Sequence, residues 1–314
     1  MLENTATSLL LSSPLSLTEH PAAVYLNTLA PGSEPTMKDS LNKIAQMLTN
    51  GEADYLTFDW AALRYKHTAA VKSALTKSYG ANTTNRILCA LRRVLKEALR
   101  LELISPQDYA RAVDIENVKV SKELRGRALS QYEIDKLFEV CFKDRTPAGF
   151  RDAAILSILC GAGLRRAETT NLDLKDFNPS GELKIRNGKG RIDRTVYLND
   201  GACKLVSDWI EIRTSFPGAL LTQISRSGRI IKKQLTPQSV FFILQKRGQE
   251  AGLEHFSPHD MRRTYVSELL DAGVDLPTVQ SLAGHSNPGI TARYDRRGDE
   301  RKKRAAATLH VPVR

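Results

Sequence analysis

Ser257-Pro258-His259-Asp260-Met261-Arg262 is the stretch on which the reading of this chain turns. Serine is a favoured helix N-cap and proline fits the first helical position, so a helix starts here. His259 and Arg262 then share one helix face close to its N-terminus. Free N–H groups and the helix dipole already favour an anion at that end. Downstream come Gly284-His285-Ser286 and Arg293-Tyr294; upstream stand Gly163-Leu164-Arg165-Arg166-Ala167-Glu168 and Gly188-Lys189-Gly190. Arginine forks and imidazole N–H groups suit a phosphodiester, and a tyrosine hydroxyl can attack one. Each piece alone is weak. Arg165 and Glu168 could be a surface ion pair, Lys189 a solvated turn lysine, His285 a helix cap. A phenol of pKa about 10 is only about 0.1% ionised at neutral pH, so Tyr294 needs cationic neighbours or a base. The set supplies both, and it can cut a nucleic-acid strand without a metal.

The bulk composition agrees with a polyanionic partner. The chain has 314 residues, which favours two domains, and 41% hydrophobic residues, enough for packed cores. Its net charge is +11. Residues 1–122 carry +2 of that and the remainder +9, so the attraction for an anion lies mostly in the second half. Cys89, Cys141, Cys160 and Cys203 are scattered, without a Cys-x-x-Cys pair. They are expected to be buried free thiols, with neither a zinc site nor a disulfide framework. The N-terminal leucines lack a basic flank and are interrupted by Pro14, unlike a signal peptide. No stretch approaches the roughly 18 apolar residues of a membrane span. The expected location is the cytoplasm.

Residues 1–18 are Ser/Thr/Leu-rich and read as a flexible segment. From 19 to 117 the pattern is helical, with no strand signal. The clearest helix runs from about Thr84 to Leu103, with Ile87, Leu88, Leu91, Val94, Leu95, Ala98 and Leu101 on one face. Arg86, Arg92, Arg93 and Lys96 lie largely off that face, as a solvated surface or a DNA contact. Further helices are expected around Pro21–Leu29, Met37–Leu48, Trp60–Leu63 and His67–Tyr79. Residues 118–127 are polar, basic and aperiodic, and read as an interdomain linker. Ser130 with Glu133 forms a capping box that opens the second domain, 128–314. An apolar helix, Asp152–Leu159, ends at Gly161 and Gly163. Glu182–Ile185 and Arg194–Leu198 flank Asn187-Gly188-Lys189-Gly190, a β-hairpin signal. Helices return over Ala202–Ile212, Thr236–Ala251, Pro258–Asp271 and Pro277–Leu282, and a short one beginning near Pro288 is expected to carry Tyr294.

The order and spacing of these elements resemble the tyrosine recombinase (phage integrase) family of site-specific recombinases. The likeness rests on Gly163 to Glu168, the Gly188-Lys189-Gly190 hairpin, His259 to Arg262, Leu282 to Ser286, and Tyr294 nine residues after His285. It covers residues 128 to about 300 well; residues 20–117 match only the helical character of the family's core-binding domain. Arg263 departs from the pattern, since many relatives carry a second histidine there, and Ala283 replaces a frequent leucine. The resemblance implies a mainly α fold with a small antiparallel sheet. It comprises a helical, SAM-like core-binding domain and an α+β catalytic domain that close on duplex DNA as a C-shaped clamp.

The resemblance also implies roles. Tyr294 attacks the scissile phosphate and forms a 3′-phosphotyrosyl bond. Arg165 and Arg262 clamp the non-bridging oxygens. Lys189 protonates the 5′-hydroxyl leaving group, His259 assists deprotonation of Tyr294, His285 donates to the phosphate, and Glu168 supports them from behind. The stored bond energy makes cofactors, metal and ATP unnecessary. Four protomers act on two DNA sites, from a free state of monomer or weak dimer, in a nucleoid-associated setting of a prokaryote, phage or mobile element. The tail Asp295–Arg304 reads either as a helix docking on a neighbour or as a basic end. Two alternatives stay open: a topoisomerase or hairpin resolvase with the same chemistry, and a non-catalytic DNA-binding regulator on this fold.

Overall fold

The computed structural model describes residues 9–30, 32–120, 126–186, 193–214, 216–285, 287–292, 294 and 307. The expected hairpin tip with Lys189, the centre of the expected linker, Ser286, Arg293 and the tail Asp295–Arg304 lie outside the described residues. The chain divides into two compact units, Met1–Glu123 and Leu124–Arg314. The fold is mainly helical with small antiparallel sheets. Among the described residues no helix is long and apolar enough to cross a membrane.

The first unit contains α1 (Pro21–Asn27), α2 (Glu34–Leu48), α3 (Tyr65–Ser78), α4 (Ala81–Arg100) and α5 (Pro106–Val113). Ile87, Leu88, Leu91, Val94, Leu95 and Ala98 of α4 are fully buried at helical spacing and form the centre of its core. Burial of each large aliphatic side chain contributes about 1.5–3 kcal/mol, which outweighs the weak intrinsic preferences of a polar-rich helix. Helix α5 has no apolar run long enough to reveal it in sequence; its start is set by Ser105, which accepts from the Asp108 N–H at 3.1 Å, and by Pro106.

The expectation of a loose N-terminal segment is corrected at residues 9–11. Leu9 is buried, and its carbonyl accepts from the Asp59 N–H at 2.8 Å, while the Leu11 N–H donates to Thr57 O at 3.0 Å. Burial of Leu9 in the core of the unit and the bridge of Leu10 to Phe58 carry this short stretch, which has no periodicity to announce it. Of the expected linker, the described ends are fastened. Val118 exchanges two 2.8 Å hydrogen bonds with the Asn85 side chain. In the second unit Arg127 N–H donates to Asp260 Oδ1 at 3.1 Å and Leu129 N–H to Thr264 Oγ1 at 2.8 Å.

The second unit is built around α7 (Pro147–Ala162), which is apolar on all sides and buried on all sides. Helices α6 (Gln131–Lys143), α9 (Asp200–Arg213) and α11 (Pro258–Asp271) pack on it. Helix α7 runs past Gly161 and ends at Gly163, whose φ of +59° is the left-handed cap that glycine adopts without strain. A Cβ there would also stand 2.2 Å from the Tyr265 ring. Short α8 (Arg166–Thr170) follows at once. Strands β1 (Glu182–Ile185) and β2 (Arg194–Tyr197) pair antiparallel, with Ile185 opposite Arg194. A second hairpin, β3 (Thr222–Ile224) with β4 (Ile230–Gln234), has a register shift at Thr222/Gln223 and no alternating pattern in sequence, because almost all of β4 faces solvent. Helices α10 (Pro237–Glu250), α12 (Leu276–Ala283) and α13 (Pro288–Ala292) complete the unit. Cys89 corrects the expectation of four buried thiols: it is exposed on α4, whereas Cys141 is buried and Cys160 and Cys203 are half-buried.

Candidate active site

The site is assembled where three helix ends meet. At the first, α11 opens with Ser257, whose hydroxyl accepts from the Asp260 N–H at 3.3 Å while Asp260 Oδ2 accepts from the Ser257 N–H at 2.9 Å. This reciprocal cap fixes the first turn and presents His259 and Arg262 from it. At the second, α7 stops at Gly163 and α8 begins after Arg165, which precedes the helix instead of lying within it. Glu168 turns back to accept from the Arg165 N–H at 3.0 Å and from its Nη1 at 2.6 Å. At the third, α12 begins at the cap Asp275 and ends on Gly284, with φ +63°.

The last carbonyls of α12 hold the arginines. Leu282 O accepts from Arg194 Nε at 3.2 Å, Ala283 O from Arg262 Nη2, and Gly284 O from Arg165 Nη2 at 2.7 Å. These groups have no partner within their own helix and carry its negative dipole end, so three consecutive carbonyls are natural seats for guanidinium groups. Arg262 also donates from Nη1 to Gly163 O at 2.6 Å, which joins the end of α7 to that of α12. Arg262 is 3% exposed; burial first, and then the charge of Arg165, brings its pKa down to about 10. It is still charged at neutral pH. Burial works against an ionised Glu168, but the bonds from Arg194 and Arg165 prevail and hold its carboxyl near 2. One carboxylate therefore faces three guanidinium groups, and the excess positive charge favours an anion.

The two histidines and the tyrosine close the site. Tyr294, two residues beyond α13, is buried; its N–H donates to Thr291 O at 3.0 Å. Its hydroxyl lies 3.4 Å from His259 Nε2, and its ring stacks on His285 at 6.1 Å between centroids and 11° between planes. His285 Nδ1 and the Thr291 hydroxyl are 2.8 Å apart. Burial, followed by the positive charges of Arg262 and Arg165, lowers the His285 pKa to about 4. His259 is exposed as a residue, yet partial desolvation of its ring, and then the charges of Arg262 and Arg263, lower its pKa too. Both rings are thus neutral at neutral pH, and His259 Nε2 can accept a proton.

A consequence for stability follows. Between its unfolded value of 6.5 and about 4, the unfolded chain protonates His285 while the folded chain does not. Stability from this group is therefore present above pH 6.5 and is lost as pH falls toward 4, with a slope of up to about 1.4 kcal/mol per pH unit. Urea unfolding of the unaltered protein and of His285→Asn across that window is expected to show the shallower slope in the variant. Equal slopes would contradict a neutral buried imidazole.

The structure brings together Arg165, Glu168, His259, Arg262, His285 and Tyr294; Lys189 lies outside the described residues. Arg263, the departure from the family pattern, donates to Gly126 O at 2.6 Å and lies over the Tyr294 ring at 5.7 Å. Sequence reasoning missed Arg194 and Thr291, both joined to the site only by the tertiary fold. The candidate DNA contacts on α4 are partly engaged within their own unit. Arg92 donates to Ile115 O and to Asn117 Oδ1, and Arg93 lies over the Tyr25 ring; Arg86 is half-buried and Lys96 exposed.

A model of the phage integrase family matches residues 127–301. Tyrosine recombinase XerA of Pyrococcus furiosus is 32% identical over 222 residues, which are 70% of this chain and 71% of the relative. Tyrosine recombinase XerC of Actinobacillus pleuropneumoniae is 31% identical over 217 residues, 68% of each protein. The solved structure of XerH site-specific recombinase bound to its palindromic difH substrate has the same fold, with a TM-score of 0.65 at 19% identity over 98% of this chain and 93% of that one. By the family match, and by this degree of identity over two thirds of its relatives, the chain belongs to the phage integrase family of tyrosine recombinases.

Proposed function

We propose that this site-specific recombinase cuts DNA with Tyr294 and holds the strand as a 3′-phosphotyrosyl bond. The observation that carries the proposal is the Tyr294 hydroxyl, 3.4 Å from His259 Nε2 and beside a carbonyl-fixed arginine pair. At 3.4 Å the pair stands at the long end of hydrogen-bond range. In the reaction the tyrosyl oxygen bonds to phosphorus and the bond to the 5′-oxygen breaks. The phenolic proton passes to His259, and Lys189 supplies the proton to the departing 5′-oxygen. Arg165 and Arg262 take the charge that grows on the non-bridging oxygens. An Nδ1 that accepts from the Thr291 hydroxyl leaves the His285 proton on Nε2, where it can donate to the phosphate. A 5′-hydroxyl from a second duplex reverses the step and completes the exchange.

Exchange between two duplexes requires four active sites, and a homotetramer on two DNA sites is the assembly we propose. Lambda integrase, of the same fold, forms a tetramer on a Holliday junction. The first unit is proposed to contribute DNA contacts from α4, through the exposed Lys96 and the half-buried Arg86, Arg92 and Arg93. The test is a nicked duplex carrying the site that the protein selects from a random-sequence pool, so that the broken strand cannot religate. Every charge and proton in the scheme is handled by Arg, Lys, His or Tyr. A covalent protein–DNA adduct is therefore expected in excess EDTA and without nucleotide. An adduct that appears only with added magnesium would overturn the scheme. Recombinant product from a plasmid with two sites separates recombination from simple relaxation of supercoils.

A further inference from the structure

Arg194 is absent from the set of residues that carry the chemistry, yet it touches two of the parts that align them, Glu168 and the end of α12. It is the first residue of β2, opposite Ile185, and its side chain is only 12% exposed. Nη1 donates to Glu168 Oε1 at 3.1 Å and Nη2 to Oε2 at 2.8 Å, a two-pronged pair. Nε donates to Leu282 O at 3.2 Å. Arg165 uses the same two carboxylate oxygens, through Nη1 and its backbone N–H, and the carbonyl of Gly284, two residues after Leu282. Arg194 therefore runs parallel to Arg165, between the same carboxylate and the same helix end. The packing leaves room for it on purpose of geometry: a Cβ on Gly284 would lie 2.8 Å from the Arg194 Cζ. The glycine that caps α12 is thus also the gap through which Arg194 passes.

Without Arg194, the two Glu168 oxygens would be free to draw Arg165 wholly onto themselves, and Leu282 O would lose its partner. The turn from Leu282 to His285 would lose one of its three arginine ties. Both changes move phosphate-binding groups, and neither removes one. We propose that Arg194 is a positioning residue for strand cleavage, bracing Glu168 against the end of α12 so that Arg165 and His285 address one phosphate. It acts through Arg165, and the proposal rests on the phosphate-clamp reading given above.

The test is single-turnover cleavage of the nicked duplex by Arg194→Ala and Arg194→Lys, each also placed in an Arg165→Lys background. Displacement of a positioned group by about 1 Å can cost on the order of 10²-fold in rate. Arg194→Ala is expected to lose about that much cleavage while its DNA affinity stays within roughly threefold, since the side chain is engaged inside the protein. Arg194→Lys keeps the charge but cannot reach both carboxylate oxygens and the carbonyl at once, so an intermediate loss is expected. It also serves if the alanine variant fails to fold. In the Arg165→Lys background neither change should cost more than about threefold further, because residues acting through one another are not additive. Cleavage by both single variants within a few-fold of the unaltered protein would overturn the proposal. So would full additivity with Arg165→Lys, which marks a general structural role. Failure of the unaltered protein to form any adduct would instead sink the cleavage reading on which this one rests.

Discussion

Arg262→Ala is expected to cut its DNA at least 10²–10³-fold more slowly than the unaltered protein at saturating DNA. Removal of one pre-placed donor at a developing charge costs roughly 3–4 kcal/mol, and here the donor is a charged fork. The loss has a second component. Arg262 is 3% exposed and joins Gly163 O to Ala283 O, so alanine leaves two buried carbonyls without partners. Each orphaned group costs about 1–3 kcal/mol of stability. The variant is therefore expected to melt earlier as well as to cleave more slowly. Arg165→Ala separates the two effects, because Arg165 has a side chain 29% exposed and a single backbone carbonyl partner among its described bonds. It should lose cleavage on the same scale with a smaller change in unfolding free energy. Rates are read by quench-flow or gel assay on the nicked duplex, and stability by urea titration. Cleavage within a few-fold of the unaltered protein, in a folded sample of either variant, would remove that residue from the phosphate clamp.

The other large effect is expected at Tyr294. Phenylalanine keeps the ring that stacks on His285 and lies under Arg263, and removes only the hydroxyl. The one hydrogen bond lost is the long 3.4 Å approach to His259. Folding and DNA binding should therefore survive almost unchanged, while adduct formation falls below detection. Gel-shift affinity and adduct yield on the nicked duplex, measured side by side, check both halves. A Phe variant that still formed adduct would show that another group attacks the phosphate.

The parts of the site that were legible in sequence are those written into one local segment. Ser257 and Pro258 announce the start of α11, and with it the shared face of His259 and Arg262. Asp275 and Gly284 bracket α12 and so locate His285 just past its end. Strands β1 and β2 follow from short β-prone runs on either side of a glycine-rich stretch of sequence. What escaped is carried by contacts between distant segments. Arg194 is 26 residues from Glu168 and 88 from Leu282, and nothing near it in sequence distinguishes it from a strand-edge cation. Thr291 meets His285 only because α13 folds back on the end of α12. The carbonyls that seat the arginines have no side-chain signature at all. In the first unit, Leu9 shows the same limit: one buried leucine in an aperiodic stretch looks like any loose terminus until the core that includes Phe58 takes it in.

The central claim is that Tyr294 is the residue that becomes joined to DNA. The direct measurement is to trap the adduct of the unaltered protein on the nicked duplex, digest protein and DNA, and sequence the nucleotide-bearing peptide by mass spectrometry. The account predicts a single modified peptide, with the 3′-phosphate on the oxygen of Tyr294. A nucleotide on any other side chain, or strand cleavage that leaves no modified peptide, would contradict it.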